Sequence, residues 1–300
     1  MVKIDKILWT TDGSKEAQEA LSYAKVLAKA FNSEIVGLHV IKSIDKRFWG
    51  LIGERLDIEG LAEDASIKAN WFNVFEGVQE ELKREGLEFS FKVLSGAPHE
   101  KIIEVANEEK ADFIIMGKRG LGLKGRMLIG SNTIKVLQRS QLPVLAVKSR
   151  REKTLPRIKK ILVPFDVSEK FDSALRYAIS LGKAFNGIIS VIYVLELMSY
   201  PYEFPVKILN EIRGLHDDEL KNKISEIYSQ EGNKVKIKHK VIESINPYLG
   251  IIRYSEDERP DLIVMNTHGR KGIKKLMLGS VAEKIIQEAT CSILAIKPTK

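Results

Sequence analysis

The chain has 300 residues, 44% of them hydrophobic and 29% charged, enough for two domains of ordinary size with a core each. It has no run of 18 apolar residues to cross a membrane, no secretory leader in MVKIDKILW, and a lone cysteine, Cys291, which excludes a disulfide framework and a cysteine-built zinc site and fits a cytoplasmic chain. The net charge of +8 favours anionic partners, but the lysines are mixed with glutamates and never form a run of five like charges, which argues against nucleic acid.

In chain order, Ile4–Thr10 reads as a short strand. Ala17, Ala20, Leu21, Ala24, Leu27, Ala28 and Phe31 then recur at helical spacing, with Ser14 as the cap. Glu34–Ile41 is a second strand, residues 60–86 a helix, and Phe89–Leu94 a third strand. Pro98 opens a helix running to Glu109. Phe113–Met116 is a fourth strand, a glycine-rich loop follows, and a helix from Gly130 to Arg139 leads to a last strand at Pro143–Lys148. The charged, proline-containing stretch Ser149–Lys159 is a linker. Strands then recur near Lys160–Pro164, Ile188–Leu195, Val235–Ile242, Leu262–Met265 and Ser292–Lys297.

The second run of elements is a copy of the first. Residues 6–32 and 160–186 share 14 of 27 positions at an offset of 154, and residues 112–148 and 261–297 share 11 of 37 at an offset of 149. The chain is a tandem duplication, read as domains 1–150 and 156–300. Strand–helix alternation in each half predicts parallel strands, right-handed crossovers and helices on both faces. Ligands of such sheets sit beyond the carboxyl ends of the strands. The halves differ most in their middles. There Phe48, Trp49, Leu51 and Ile52 face off against Tyr200, Tyr202 and Phe204, as local core caps or as a lid or partner surface.

The loop after the fourth strand carries the chemistry. Met116-Gly117-Lys118-Arg119-Gly120 is followed nine residues later by Gly130-Ser131. Glycines let main chain approach an anion, and the helix opening at Gly130 offers N–H donors and the positive end of a dipole. Lys118, Arg119, Lys124 and Arg126 make the loop cationic. The pattern fits phosphate binding; it also fits a plain strand-to-helix turn with Ser131 as the cap. The second half has Met265-Asn266-Thr267-His268-Gly269 and then Gly279-Ser280, with Asn266 in place of the first glycine. Asp12 and Asp166 follow the first strand of each half. Each is placed either to accept from a base or ribose, or to cap a turn ahead of Ser14 or Ser168. No GxxxxGK[ST], GxSxG or HExxH motif appears, and no nucleophile has a base beside it.

These features together resemble the universal stress protein family in its tandem form, over nearly the whole chain. Its ATP signature, Gly-x2-Gly-x9-Gly-Ser/Thr, is met by Gly117, Gly120, Gly130 and Ser131, and in the second half by Gly269, Gly279 and Ser280 only. The aspartate contexts are Thr10-Thr11-Asp12 and Pro164-Phe165-Asp166, and the second strands end in His39-Val40 and Tyr193-Val194. The resemblance implies the adenine nucleotide alpha hydrolase-like fold, with open five-stranded parallel sheets of order 3-2-1-4-5. It implies that Val144–Lys148 and Ile293–Lys297 pair edge to edge, so that one chain imitates a homodimer, with a further homodimer of whole chains and unknown protein partners left open. It implies ATP in the first half, with Mg2+ bridging the phosphates. The site would comprise Thr10, Thr11, Asp12, Val40, Met116, Gly117, Gly120, Gly130, Ser131 and Asn132. A second candidate site comprises Pro164, Phe165, Asp166, Val194, Asn266, Gly269, Gly279, Ser280 and Val281. The expected role is nucleotide-dependent regulation in a stress response, by binding and not turnover. The alternatives are slow ATP hydrolysis or adenylyl transfer through Ser131 or Lys118, and a scaffold working through protein contacts without nucleotide.

Overall fold

The computed structural model describes residues 2–42, 57–120, 129–149, 155–166, 173–197, 205–232, 234–267 and 278–297. The aromatic residues expected at the two middles, the loop cations Lys124 and Arg126, and His268 and Gly269 lie outside the described residues.

The first half runs β1 (Lys6–Thr11), α1 (Lys15–Phe31), β2 (Glu34–Lys42), α2 (Asp57–Arg84), β3 (Phe89–Gly96), α3 (Pro98–Glu108), β4 (Phe113–Gly117), α4 (Ser131–Arg139) and β5 (Val144–Val147). The second runs β6 (Lys160–Pro164), α5 (Ser173–Phe185), β7 (Ile188–Glu196), α6 (Val206–Glu231), β8 (Lys236–Ser244), α7 (Pro247–Glu258), β9 (Leu262–Asn266), α8 (Ser280–Glu288) and β10 (Ser292–Ile296). Local signals set the helix ends. Ser14 accepts from the Ala17 N–H at the start of α1, and Asn32 closes it in the left-handed conformation, φ 56°. In between, Ala17, Ala20, Tyr23, Ala24, Leu27 and Ala28 form the buried stripe.

Each half has the strand order 3-2-1-4-5, and the two sheets are one: β3-β2-β1-β4-β5-β10-β9-β6-β7-β8. All neighbours are parallel except β5 and β10, which pair antiparallel through Val144↔Ala295, Leu145↔Leu294 and Ala146↔Ile293. The pairing saturates two strands that would otherwise be open edges. The strands left at the rims differ from the centre. β8 exposes Lys236, Lys238 and Lys240, a pattern that discourages further strand addition.

Helices α1, α2, α5 and α6 cover one face of the sheet and α3, α4, α7 and α8 the other, and the core on each face contains residues of both halves. Leu145 and Leu294 meet within the first of these cores, both essentially buried. Because the seam is core, the halves are expected to unfold as one unit. Urea transitions followed by fluorescence and by circular dichroism should coincide. Leu294→Ala should lower stability by about 2–5 kcal/mol, the usual cost of truncating a packed leucine; a loss below about 1 kcal/mol would show a loosely packed seam.

Candidate functional site

The carboxyl ends of β1, β2 and β4 set the candidate residues side by side. Thr11 is in register with His39 across β1 and β2, Trp9 with Ile115 across β1 and β4, and Gly117 with Val147 across β4 and β5. Asp12 lies just past β1, Val40 near the end of β2, and the glycine loop just past β4. Val40 and Met116 belong to the core on the α3–α4 face. Thr10 is buried, and Thr11 Oγ1 accepts from the Gly13 N–H at 3.1 Å.

Asp12 and Gly120 are in direct contact. One carboxylate oxygen, Oδ1, accepts from the Ser14 N–H at 3.0 Å, the expected turn bond ahead of the cap. The other, Oδ2, occupies the space a Cβ on Gly120 would take. The loop's two ends are also held together: the Gly130 N–H donates to Lys118 O at 2.9 Å, and Thr133 Oγ1 donates to Gly117 O at 2.9 Å. A Cβ on Gly130 would lie 3.3 Å from Thr133 Oγ1 and 3.7 Å from the Gly120 N, across the gap between the glycines. Aspartate, both glycines and the start of α4 therefore converge on one small volume.

Three sequence expectations change in detail. Ser131 is not the helix cap. Gly130 holds that position in extended backbone, φ −65° and ψ 138°, with no side-chain cap bond, and Ser131 is the exposed first helical residue. The first-turn donors of α4 therefore receive no bond from a side chain at the N-cap. Gly117 owes its lack of a side chain to packing and not to ligand approach: a Cβ there would meet Arg119 O and Glu16 Cβ at 2.9 Å and the Ala17 N at 3.1 Å. Lys118 does not add charge to the loop. Its side chain is 3% exposed, and its Nζ donates to Ala289 O, in the other half, at 2.8 Å.

Sequence reasoning missed two further residues. Trp71, on α2, stacks on His39 with centroids 3.7 Å apart and 15° between the planes, and its ring edge lies 3.4 Å from where a Gly13 Cβ would be. It falls in the middle of the repeat, where no constant offset gives it a counterpart. Thr133 fastens the loop, but its repeat partner is Ala282, so the duplication gives no signal. In the second half the same end of the sheet carries Pro164, Asp166, Val194, Gly279, Ser280 and Val281. Gly279 caps α8 without a side-chain bond, and its N–H donates to Thr267 O at 2.9 Å. Phe165, at the position of Thr11, turns into the core and is 7% exposed. Asn266 adds a side chain where Gly117 has none.

Two clefts, of about 300 Å3 beside Ala28, Asn32 and Glu88 and about 180 Å3 beside Lys160, Lys238 and Tyr254, lie at the opposite, amino edge of the strands. Among the described residues no group of three or more His, Cys, Asp or Glu side chains is placed to hold a metal ion, and no helix is long and apolar enough to cross a membrane.

The His39 ring is tucked under Trp71, and its Nδ1–H donates to Thr11 O at 2.8 Å. Burial pulls its pKa below the usual 6.5, against the smaller opposing pull of the Thr11 carbonyl and the Asp12 charge. The folded chain therefore binds fewer protons than the unfolded one just below pH 6.5, so stability is fully present above that value and falls as the pH drops through the lower folded pKa. The urea midpoint of the wild type should decline between pH 7 and pH 5, and His39→Asn should decline less. The buried ring of His99, lowered also by Lys135 and Arg139, supplies part of the remaining slope. Equal slopes in both proteins would show that His39 is readily protonated in place.

A model of the universal stress protein family matches residues 3–148 and, a second time, residues 157–297. The chain is 33% identical to the universal stress protein MJ0577 of Methanocaldococcus jannaschii over 158 residues, 50% of this chain and 98% of that one. It is 24% identical to the universal stress protein Slr1230 of Synechocystis over 308 residues, 97% of this chain and 99% of that one. The crystal structure of a universal stress protein from Archaeoglobus fulgidus aligns over 99% of both chains with a TM-score of 0.69 at 22% identity, a likeness of fold. With both halves matched and the fold shared end to end, the chain belongs to the universal stress protein family as a tandem of two of its domains.

Proposed function

We propose that the first half binds ATP and that the chain acts as a nucleotide-dependent regulator of the stress response. One observation carries this reading. Gly130, at the N-cap of α4, makes no side-chain cap bond and lies against the Gly120 main chain, which in turn touches the Asp12 carboxylate. Uncapped first-turn N–H groups at the positive end of a helix dipole suit a polyphosphate. Gly120, Gly130, Ser131 and Asn132 would hold it, largely through main chain. Asp12 and Val40 stand at the strand ends where the adenosine would lie, and the carboxylate suits a ribose hydroxyl or a base amine. The described residues offer no ligand cluster for Mg2+, so a magnesium ion would travel with the phosphates and leave most of its positions to water.

Binding is favoured over turnover. The lysine that a hydrolytic mechanism would enlist, Lys118, is committed to Ala289 O. Of the described histidines at this end, His39 is bound to Thr11 O and covered by Trp71, and His99 is buried in the first turn of α3. The second half is the poorer candidate, because Phe165 is core and Asn266 replaces a glycine.

Gly130→Val adds bulk beside the Gly120 main chain, where the phosphates would approach, and should abolish ATP binding in isothermal titration, while circular dichroism stays that of the wild type. Unchanged affinity in the folded variant would overturn the site. Native mass spectrometry of the full chain with ATP should show a single nucleotide per chain; two would mean that Asn266 and Phe165 are no obstacle.

A further inference from the structure

Lys118 is fastened at both its main chain and its side chain. Its N–H donates to Val147 O at 2.6 Å, and its carbonyl accepts from Gly130 at 2.9 Å, so its backbone joins β4 to β5 and closes the glycine loop. Its side chain leaves the loop, crosses the seam and donates to Ala289 O at 2.8 Å. Ala289 is the C-cap of α8, where helix carbonyls carry partial negative charge and attract a cation. Two residues further along the chain is the seam cysteine, Cys291, close enough that ammonium and thiol act on each other's ionisation. Burial pulls the ammonium down to about 8, with Lys148 and Arg119 acting the same way. Burial likewise pushes the thiol up to about 11.

The second half keeps the main-chain part of this arrangement without the amine. Thr267 stands at the equivalent position; its N–H donates to Ile296 O at 2.8 Å, and its carbonyl accepts from Gly279 at 2.9 Å. A threonine is too short to reach the facing helix end. The lysine that crosses the seam in the other direction, Lys297, bonds Gln138 O at 2.8 Å, but it follows β10 and belongs to no glycine loop. Among the described residues the crossing from a loop to the opposite half is therefore one-sided, and it starts from the loop with the full set of glycines.

We propose that Lys118 is a positioning residue that couples nucleotide occupancy of the first half to the packing of the second half around the turn from α8 to β10. The proposal rests on the ATP reading above. A triphosphate held by the loop fixes the main chain from which the lysine side chain springs. It also brings negative charge near the amine, which favours the ammonium and so strengthens its bond to the Ala289 carbonyl. Binding and seam tightening then favour each other by the same factor.

Cys291, the single cysteine, is a native probe of that turn. The full-length chain is treated with a chromogenic thiol reagent with and without ATP, while equilibrium dialysis records ATP binding in the same buffer. ATP should slow labelling of the wild type about fivefold or more, the scale of ordinary coupling between sites. In Lys118→Met, with ATP raised well above that variant's own Kd, the rates with and without ATP should be equal, and Lys118→Arg should restore part of the difference. The ratio is the readout, because loss of the ammonium raises the thiol pKa and slows both rates together. Bound ATP with no change in wild-type labelling overturns the coupling and leaves the nucleotide site standing. Equal protection in wild type and Lys118→Met overturns the role of the lysine. No ATP bound in dialysis overturns the site itself, and the coupling with it.

Discussion

The antiparallel pairing of β5 with β10 is the constraint on which the molecule is organised. Each half alone would be a five-stranded parallel sheet ending in a short, buried, largely apolar strand, VLAV in one and SILAI in the other. Such a strand cannot face water, and its free main-chain groups cannot stay unpaired in a dry setting. Joined, the two edges vanish, Leu145 and Leu294 close the core between them, and the helical layers on both faces run on across the join. Every feature near the seam then has two owners. The end of α8 receives a lysine from the first half, the end of α4 receives one from the second, and the Ser292 hydroxyl accepts from the Lys148 N–H across the join.

At the carboxyl edge the organising material is main chain. The glycines of the loop do different work. Gly117 lets α1 approach β4, Gly120 makes room for the Asp12 carboxylate, and Gly130 lets the start of α4 lie close to Thr133 Oγ1 and the Gly120 main chain. The three described glycines of the motif thus each meet a packing requirement. Part of a binding signature can therefore be retained by a domain for reasons of fold alone. A signature match and a working site are therefore distinct.

The duplication has drifted unevenly. The first strand and helix of each half, and its last two strands, stay closest in sequence. Around the strand ends several positions diverge, Thr11 against Phe165, Gly117 against Asn266, Lys118 against Thr267 and Asn132 against Val281, while Asp12, Val40, Gly120, Gly130 and Ser131 have identical counterparts. Phe165 joins the core, so the second half has exchanged part of its strand-end surface for packing. One half suited to a ligand, joined through core to one that is less so, is the arrangement in which a signal received on one side can be read on the other.

The sequence by itself determined the two copies, the strand and helix order, the cap at Ser14 and the glycine loop after β4. These depend on short-range periodicity and on comparing two versions of one text, and both signals are strong where apolar spacing is regular. The tertiary structure alone decided where long side chains go. Lys118 reads as a loop cation because its neighbours in sequence are cations; only the fold brings Ala289 within 2.8 Å of its amine. Ser131 reads as a cap because serine usually is one, yet the backbone places Gly130 there. Trp71 covers His39 because α2 crosses β2 at that point, and no local pattern encodes a crossing. Local chemistry is written in the order of residues; contacts between residues far apart in the chain depend on how the layers close, and packing settles that.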